Sequence, residues 1–144
     1  MIRIRVDAAP IDLAAELAGA ERGGAVATFT GLVRPDDGVS ELTLEHYPGA
    51  TERALHGLAQ EALTRWALSG ATIVHRVGAM RPGERIVFVA TSAAHRQAAL
   101  EACAFLIDRL KTDAPFWKCE AATDGQRWVE PRAIDDDAAA RWKL

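Results

Sequence analysis

The feature that most limits what this chain can fold into is its hydrophobic period, which switches repeatedly between about two and about 3.6 residues with no linker at the switches. "IRIRV" alternates like a short strand, and "APIDLAAELAG" follows as a helix, with Pro10 suited to its first turn and Gly19 to its stop. "GAVATFTGLV" (24–33) and "ELTLEHY" read as strands on either side of the loop "RPDDGVS", which implies a hairpin with a long connection. In "PGATERALHGLAQEALTRWAL", Ala54, Leu55, Leu58, Ala62 and Leu63 fall at helical spacing, predicting an amphipathic helix of about five turns. "ATIVHRVGAM" and "RIVFVATSA" are strands joined by "RPGE", whose Pro-Gly pair fits the centre of a type II turn. A long helix is predicted over 93–112. "FWKCEAA" and "RWVE" then flank "TDGQ", a hairpin turn signal at Asp124-Gly125, and "DDDAAARWKL" reads as a terminal helix led by acids. Strands and helices interleaved in this way, with no Ser/Gly/Pro-rich linker and no repeat, make one α+β domain of the whole 144 residues.

Composition narrows the function classes. With 49% hydrophobic and 26% charged residues the chain is of ordinary globular make-up, and none of its apolar runs approaches the roughly 20 residues that cross a bilayer. The N-terminus alternates apolar and basic residues where a signal peptide would show a charged head and an apolar block, so a cytoplasmic location is expected. A net charge of −3 argues against general affinity for nucleic acid, and any anion site must therefore be local. Cys103 and Cys119 have neither the number nor the spacing of a disulfide framework or a zinc site, and are expected to be reduced thiols. Neither a metal nor a cofactor is called for.

The residues capable of chemistry are few. Lys111 and Lys118 stand on either side of the apolar corner Ala114-Pro115-Phe116-Trp117, where ammonium groups are unusual. His95 and Arg96 directly follow a strand and open the long helix, where exposed N–H groups and the helix dipole favour an anion; a solvated first turn is the plainer reading. Alternation along "FWKCEAA" puts Phe116, Lys118 and Glu120 on one face and Trp117, Cys119 and Ala121 on the other. Cys119 therefore points away from Lys118 and is not a nucleophile activated by it. Cys103 shares a helical stripe with Ala99, Leu106 and Leu110, a core pattern. Arg34 alone is a surface turn residue, His46 and His75 are hydrogen-bonded structural histidines beside apolar neighbours, and His56 carries no information.

Taken in order, "FTGLVR", "LTLEHYPGATERAL", "HRVGAMRPGE", "VFVATSAAHR", "LKTDAPFWKCE" and "DGQRWVE" resemble the large, catalytic subunit of molybdopterin synthase, the MoaE family, over almost the whole chain. The resemblance implies a fold of the α/β-hammerhead type, mainly antiparallel sheet with packed helices. It implies a homodimer of large subunits, each capped by a small ubiquitin-like sulfur carrier, giving a heterotetramer. The implied reaction converts cyclic pyranopterin monophosphate (precursor Z) to the molybdopterin dithiolene, with sulfur from a thiocarboxylate at the carrier's C-terminal Gly-Gly. Matching positions carry catalysis onto Lys111 and Lys118, and substrate binding onto these two with Arg34, His95, Arg96, Glu120 and Phe29. Such an enzyme needs no sulfur nucleophile of its own; it needs cations that hold a phosphate and stabilise developing oxyanions. Two departures stand out: relatives often carry a basic residue where this chain has Leu32 and another at Cys119, so the pocket edge is expected to be less positive.

Two other classes use the same groups: a non-catalytic dimeric binder of a phosphorylated metabolite, and a Schiff-base lyase acting through Lys111 or Lys118. Only a synthase requires the carrier, and only the lyase would be trapped by borohydride. One distance bears on all three readings. His95 and Arg96 open the long helix and Lys111 closes it, roughly 24 Å away at about 1.5 Å per residue. If they meet one substrate, they come from different subunits.

Overall fold

The structure is a computed structural model that describes residues 1–35, 38–114, 116–122, 125–129 and 140–142; of Val39, Trp117, Glu120, Ala122 and 125–129 it describes the backbone alone. The elements run β1 (Ile2–Asp7), α1 (Leu13–Ala20), β2 (Ala25–Leu32), β3 (Val39–His46), α2 (Ala50–Trp66), β4 (Gly70–Arg76), β5 (Gly78–Met80), β6 (Arg85–Ala93), α3 (Arg96–Asp113), β7 (Phe116–Ala122) and β8 (Gly125–Val129). Among the described residues they build two four-stranded sheets, β1-β4-β6-β2 and β5-β3-β7-β8, in which only β1 and β4 pair in parallel. The expected α+β class with mainly antiparallel sheet is what the chain adopts.

The first sheet is covered on both faces, and its sequence shows why. Along β4 and β6 successive side chains alternate between two cores. Ile73, Val87 and Val89 pack with Leu55, Leu58, Ala59 and Ala62 of α2 and with Ala99, Cys103, Phe105, Leu106 and Leu110 of α3. Val74, Phe88 and Ala90 pack on the other side with Ile11 and Ala20, beside α1. Every residue of β4 is accordingly buried, the polar Thr72, His75 and Arg76 included, and the strand shows no in-out alternation. The helical stripe through Cys103 is the core pattern expected, and burial pushes that thiol up to about 11, with a hydrogen bond from Thr91 acting the other way. The second sheet has a small core of its own, Val33, Leu42, Leu44 and Met80, against which Ile86 packs from β6.

Several local expectations are corrected. β2 and β3 do not form a hairpin: β2 pairs with β6, and β3 with β5 and β7. Alternation marks both segments as strands but carries no information on their partners, which here lie far away in sequence. The run "ATIVHRVGAM" is two strands in different sheets, broken at Val77, with Gly78 at a φ of 85° that turns the chain from one sheet into the other. The turn at "RPGE" stands: Gly83 has a φ of 91° and the Glu84 N–H donates to the Arg81 carbonyl at 3.1 Å. Pro10 lies before α1, which is capped by Asp12 through the Ala15 N–H at 3.2 Å, and the helix runs past Gly19. The long helix begins at Arg96 rather than 93 because β6 continues to Ala93, held opposite Ala25. β7 and β8 pair antiparallel across the predicted turn, whose residues 123 and 124 lie outside the described residues, as does the acidic run 135–137 of the expected terminal helix.

Candidate functional site

Lys111 lies in the last turn of α3, where the negative end of the helix dipole favours a cation. The chain reverses at once: the Ala114 N–H closes the helix on the Leu110 carbonyl at 3.3 Å, and the Phe116 N–H donates to the Ala114 carbonyl at 2.9 Å. β7 then carries Lys118 opposite Leu44 of β3 and Val129 of β8. The two lysines, both exposed, therefore flank one tight reversal between a helix and a strand. Cys119 is half-buried, and strand alternation sets it away from Lys118 as expected. Glu120 pairs through its backbone with Leu42 and Arg127, while its side chain lies outside the described residues.

Beneath the reversal lies a ring cluster that the sequence does not announce. His75 of β4 is 5% exposed, and its ring stacks on Phe116 with centroids 4.1 Å apart and planes 20° from parallel. His46 approaches Phe116 at 6.3 Å. The Nδ1 of His75 lies 2.8 Å from the Arg76 carbonyl, which can only accept, so Nδ1 carries the proton. Burial drives the His75 pKa down to about 4; the Arg76 hydrogen bond opposes this, and the charges of Lys118 and His46 add to it. His75 is thus the hydrogen-bonded structural histidine expected. His46 is not: its Nδ1 is buried without a hydrogen bond, 3.9 Å from Glu52 Oε1, which itself accepts from the Gly49 N–H.

The remaining predicted residues fall into separate places. Phe29 is half-buried in β2 opposite Val89, packed against the main core. Arg34 is exposed just after Val33, whose N–H donates to the Glu84 carbonyl and whose carbonyl accepts from the Gly83 N–H, so Arg34 is tied to the Pro-Gly turn. Leu32, one of the two departures, is 54% exposed at the same edge. His95 caps α3 and Arg96 is its first residue; both are exposed, the first turn holds no acid, and no side chain caps it. A helix start of that make-up attracts an anion. Arg96 and Lys111 are fifteen residues apart on α3, which at a rise of about 1.5 Å per residue places them about 22 Å apart. Within one chain Lys111 and Lys118 thus stand on either side of the same reversal, and His95 and Arg96 lie at the far end of the helix.

An open cavity of about 990 Å³ lies elsewhere, between the C-terminal half of α2, Arg109, Ile2 and Trp142. Its cations are committed. Arg109 pairs with Glu61 at 3.3 Å and with Asp113 at 2.7 Å, and Arg65 donates to the Trp142 carbonyl at 2.9 Å. Trp142 is edge-on to Trp66 and Phe105 and donates to Asp108 at 2.6 Å, so this region seats the Trp142 side chain. Among the described residues no three His, Cys, Asp or Glu side chains are grouped to hold a metal ion, and no helix is long and apolar enough to cross a membrane.

Comparison with known proteins places the chain in a family. The family described as "MoaE protein" matches residues 6–113. The molybdopterin synthase catalytic subunit of Escherichia coli (strain K12) is 54% identical over 129 residues, covering 88% of this chain and 86% of that protein. Among solved structures, the molybdopterin biosynthesis MoaE protein of Burkholderia ambifaria MC40-6 superposes with a TM-score of 0.87 at 48% identity, over 100% of this chain and 99% of that one. A complex of subunits 1 and 2 of the molybdopterin-converting factor of Helicobacter pylori 26695 shares the fold, with a TM-score of 0.72 at 22% identity over 91% of each chain. With a family match over residues 6–113 and relatives about half identical over nearly the whole chain, the chain belongs to the MoaE family.

Proposed function

We propose that this protein is the catalytic subunit of a molybdopterin synthase, transferring sulfur from the C-terminal thiocarboxylate of a small ubiquitin-like carrier to cyclic pyranopterin monophosphate. The observation that carries this is the pair Lys111 and Lys118 on either side of the helix-to-strand reversal, in a chain about half identical to synthase catalytic subunits over nearly its whole length. The name of those relatives presupposes a second subunit, and the fold neighbour from Helicobacter pylori is a two-subunit complex.

The residues suit the reaction. Sulfur arrives on the carrier, so neither thiol need act; Cys103 is buried with its thiol held protonated well above neutral pH. What the protein supplies is fixed positive charge. Each ammonium offers three donors, enough to hold a phosphate or the carrier's acyl oxygen and to stabilise an oxyanion as sulfur adds. Arg34, Glu120 and Phe29 complete the set of substrate-binding residues in this reading.

His95 and Arg96 take part through a second copy of the chain. At about 22 Å from Lys111 they cannot touch the same small substrate within one subunit, so a two-fold dimer would supply them from the partner and form two identical composite sites. The test uses purified protein, thiocarboxylated carrier and precursor Z, with the dithiolene product as readout. Arg96→Ala and Lys111→Ala proteins are each expected to be inactive, and mixing them under subunit exchange should restore activity, because each mixed dimer keeps one intact site. Demonstrated exchange without recovery would refute the composite site; wild-type protein that makes no dithiolene would refute the function.

A further inference from the structure

The two lysines belong to different bodies of the fold. Lys111 is on α3, which packs on β2, β6 and α2 and so is fixed to the first sheet. Lys118 is on β7, whose hydrogen-bonded neighbours β3 and β8 lie in the second. The distance between the two ammonium groups therefore depends on how one sheet is joined to the other. Part of that joint is apolar, Ile86 of β6 against the small core of Val33, Leu42, Leu44 and Met80. Another part is the stack of His75 on Phe116, two residues before Lys118.

His75 is built to be rigid. It sits at the end of β4 between Val6 of β1 and Val87 of β6, on the face covered by α2 and α3, and its ring is locked through Nδ1 to the Arg76 carbonyl. The charged or titratable groups felt there are Lys118 and His46 from the second sheet. A leucine would fill such a place without the desolvation cost of an imidazole. What the imidazole adds is a flat face held in one orientation against Phe116.

We propose that His75 is a positioning residue for sulfur transfer: its ring, fixed by the Arg76 carbonyl, holds Phe116 and so sets where β7 presents Lys118 relative to Lys111. The proposal rests on the assignment of these lysines to the reacting centre. His75 touches no substrate and acts only through Phe116.

Two substitutions test it. His75→Ala removes the ring; His75→Phe keeps a flat face for Phe116 and gives up only the Nδ1 bond. Misplacement of a reacting group by about 1 Å can cost on the order of 100-fold, so kcat of dithiolene formation should fall about 10- to 100-fold in His75→Ala with KM for the pterin changed less than about threefold. His75→Phe should recover most of kcat. A second readout needs no activity. The chain has three lysines, Lys111, Lys118 and Lys143, so reductive methylation with ¹³C-formaldehyde gives a lysine spectrum simple enough to assign. His75→Ala should move the Lys118 signal and leave that of Lys143, and His75→Phe should move it less. If His75→Ala does not fold, His75→Leu, similar in volume but without a planar ring, is read in its place. Folded His75→Ala with normal kcat and an unmoved Lys118 signal overturns the proposal, as does an equal loss of kcat in the alanine and phenylalanine variants. Should the Lys118 signal shift as expected while wild-type protein makes no dithiolene, the positioning role stands and the functional reading falls.

Discussion

Replacing His75 by phenylalanine should remove a pH dependence of stability that the native fold creates. In the unfolded chain this imidazole titrates near its ordinary value of 6.5; in the fold, burial first, then the charges of Lys118 and His46, bring it to about 4. The folded pKa is depressed, so between the two values the unfolded chain binds a proton that the native protein refuses, and stability is lost as pH falls through that window. The full loss, reached near pH 4, is about 3 kcal/mol at 1.36 kcal/mol per unit, and about 2 kcal/mol of it falls between roughly pH 7 and pH 5. Urea unfolding of wild type and His75→Phe, at one fixed protein concentration because dimerisation would add its own term, measures this directly. Carboxylates such as Glu16, whose pKa is lowered by its hydrogen bond to Arg3, contribute equally to both proteins and cancel in the difference. The two stability curves should lie close at neutral pH and diverge below it, with wild type falling faster. Curves that stay parallel from about pH 7 to about pH 4.5 would show that His75 is not held neutral by its burial.

If the proposed function holds, Lys111→Ala and Lys118→Ala should each reduce dithiolene formation by about 100-fold or more while leaving circular dichroism and carrier binding near wild type, since each removes one cation that the proposal places at the reacting centre. Cys119→Ser should keep most of the activity, because the sulfur arrives on the carrier. Cys103→Ser should also turn over but lose stability, by about 1–3 kcal/mol in urea unfolding, as a hydroxyl replaces a thiol in the core between α3 and the first sheet.

Elements were legible where the signal is local. The strand "RIVFVATSA", the stripe Ala99-Cys103-Leu106-Leu110 and the Pro82-Gly83 turn are each signalled within a short stretch of chain, and each appears in the structure where the pattern puts it. Pairing was not legible. β2 and β3 are consecutive strands with a loop between them, the usual make-up of a hairpin, yet β2 pairs with β6, more than fifty residues on, and β3 with β7, seventy or more on. The chain crosses between sheets after β4 at Val77 and Gly78, and within the run "ATIVHRVGAM" Gly78 looks like any other strand glycine.

The same division explains which parts of the site the sequence could reveal. Lys111 and Lys118 stood out because ammonium groups beside Ala-Pro-Phe-Trp are chemically out of place, an anomaly visible within eight residues. His95 and Arg96 stood out because basic residues at a helix start oppose the dipole. His75 did not, because nothing about a histidine in "TIVHRV" shows what it faces; its contact with Phe116 joins positions forty-one residues apart across two sheets. A group that reacts has to be chemically unusual, and its neighbours in sequence are enough to show it. A group that positions another has only to be in the right place, and place is fixed by the long-range pairing that period and spacing leave open. In this fold the two kinds of information meet at Phe116, which belongs by sequence to the lysine corner and by contact to the buried histidine of the other sheet.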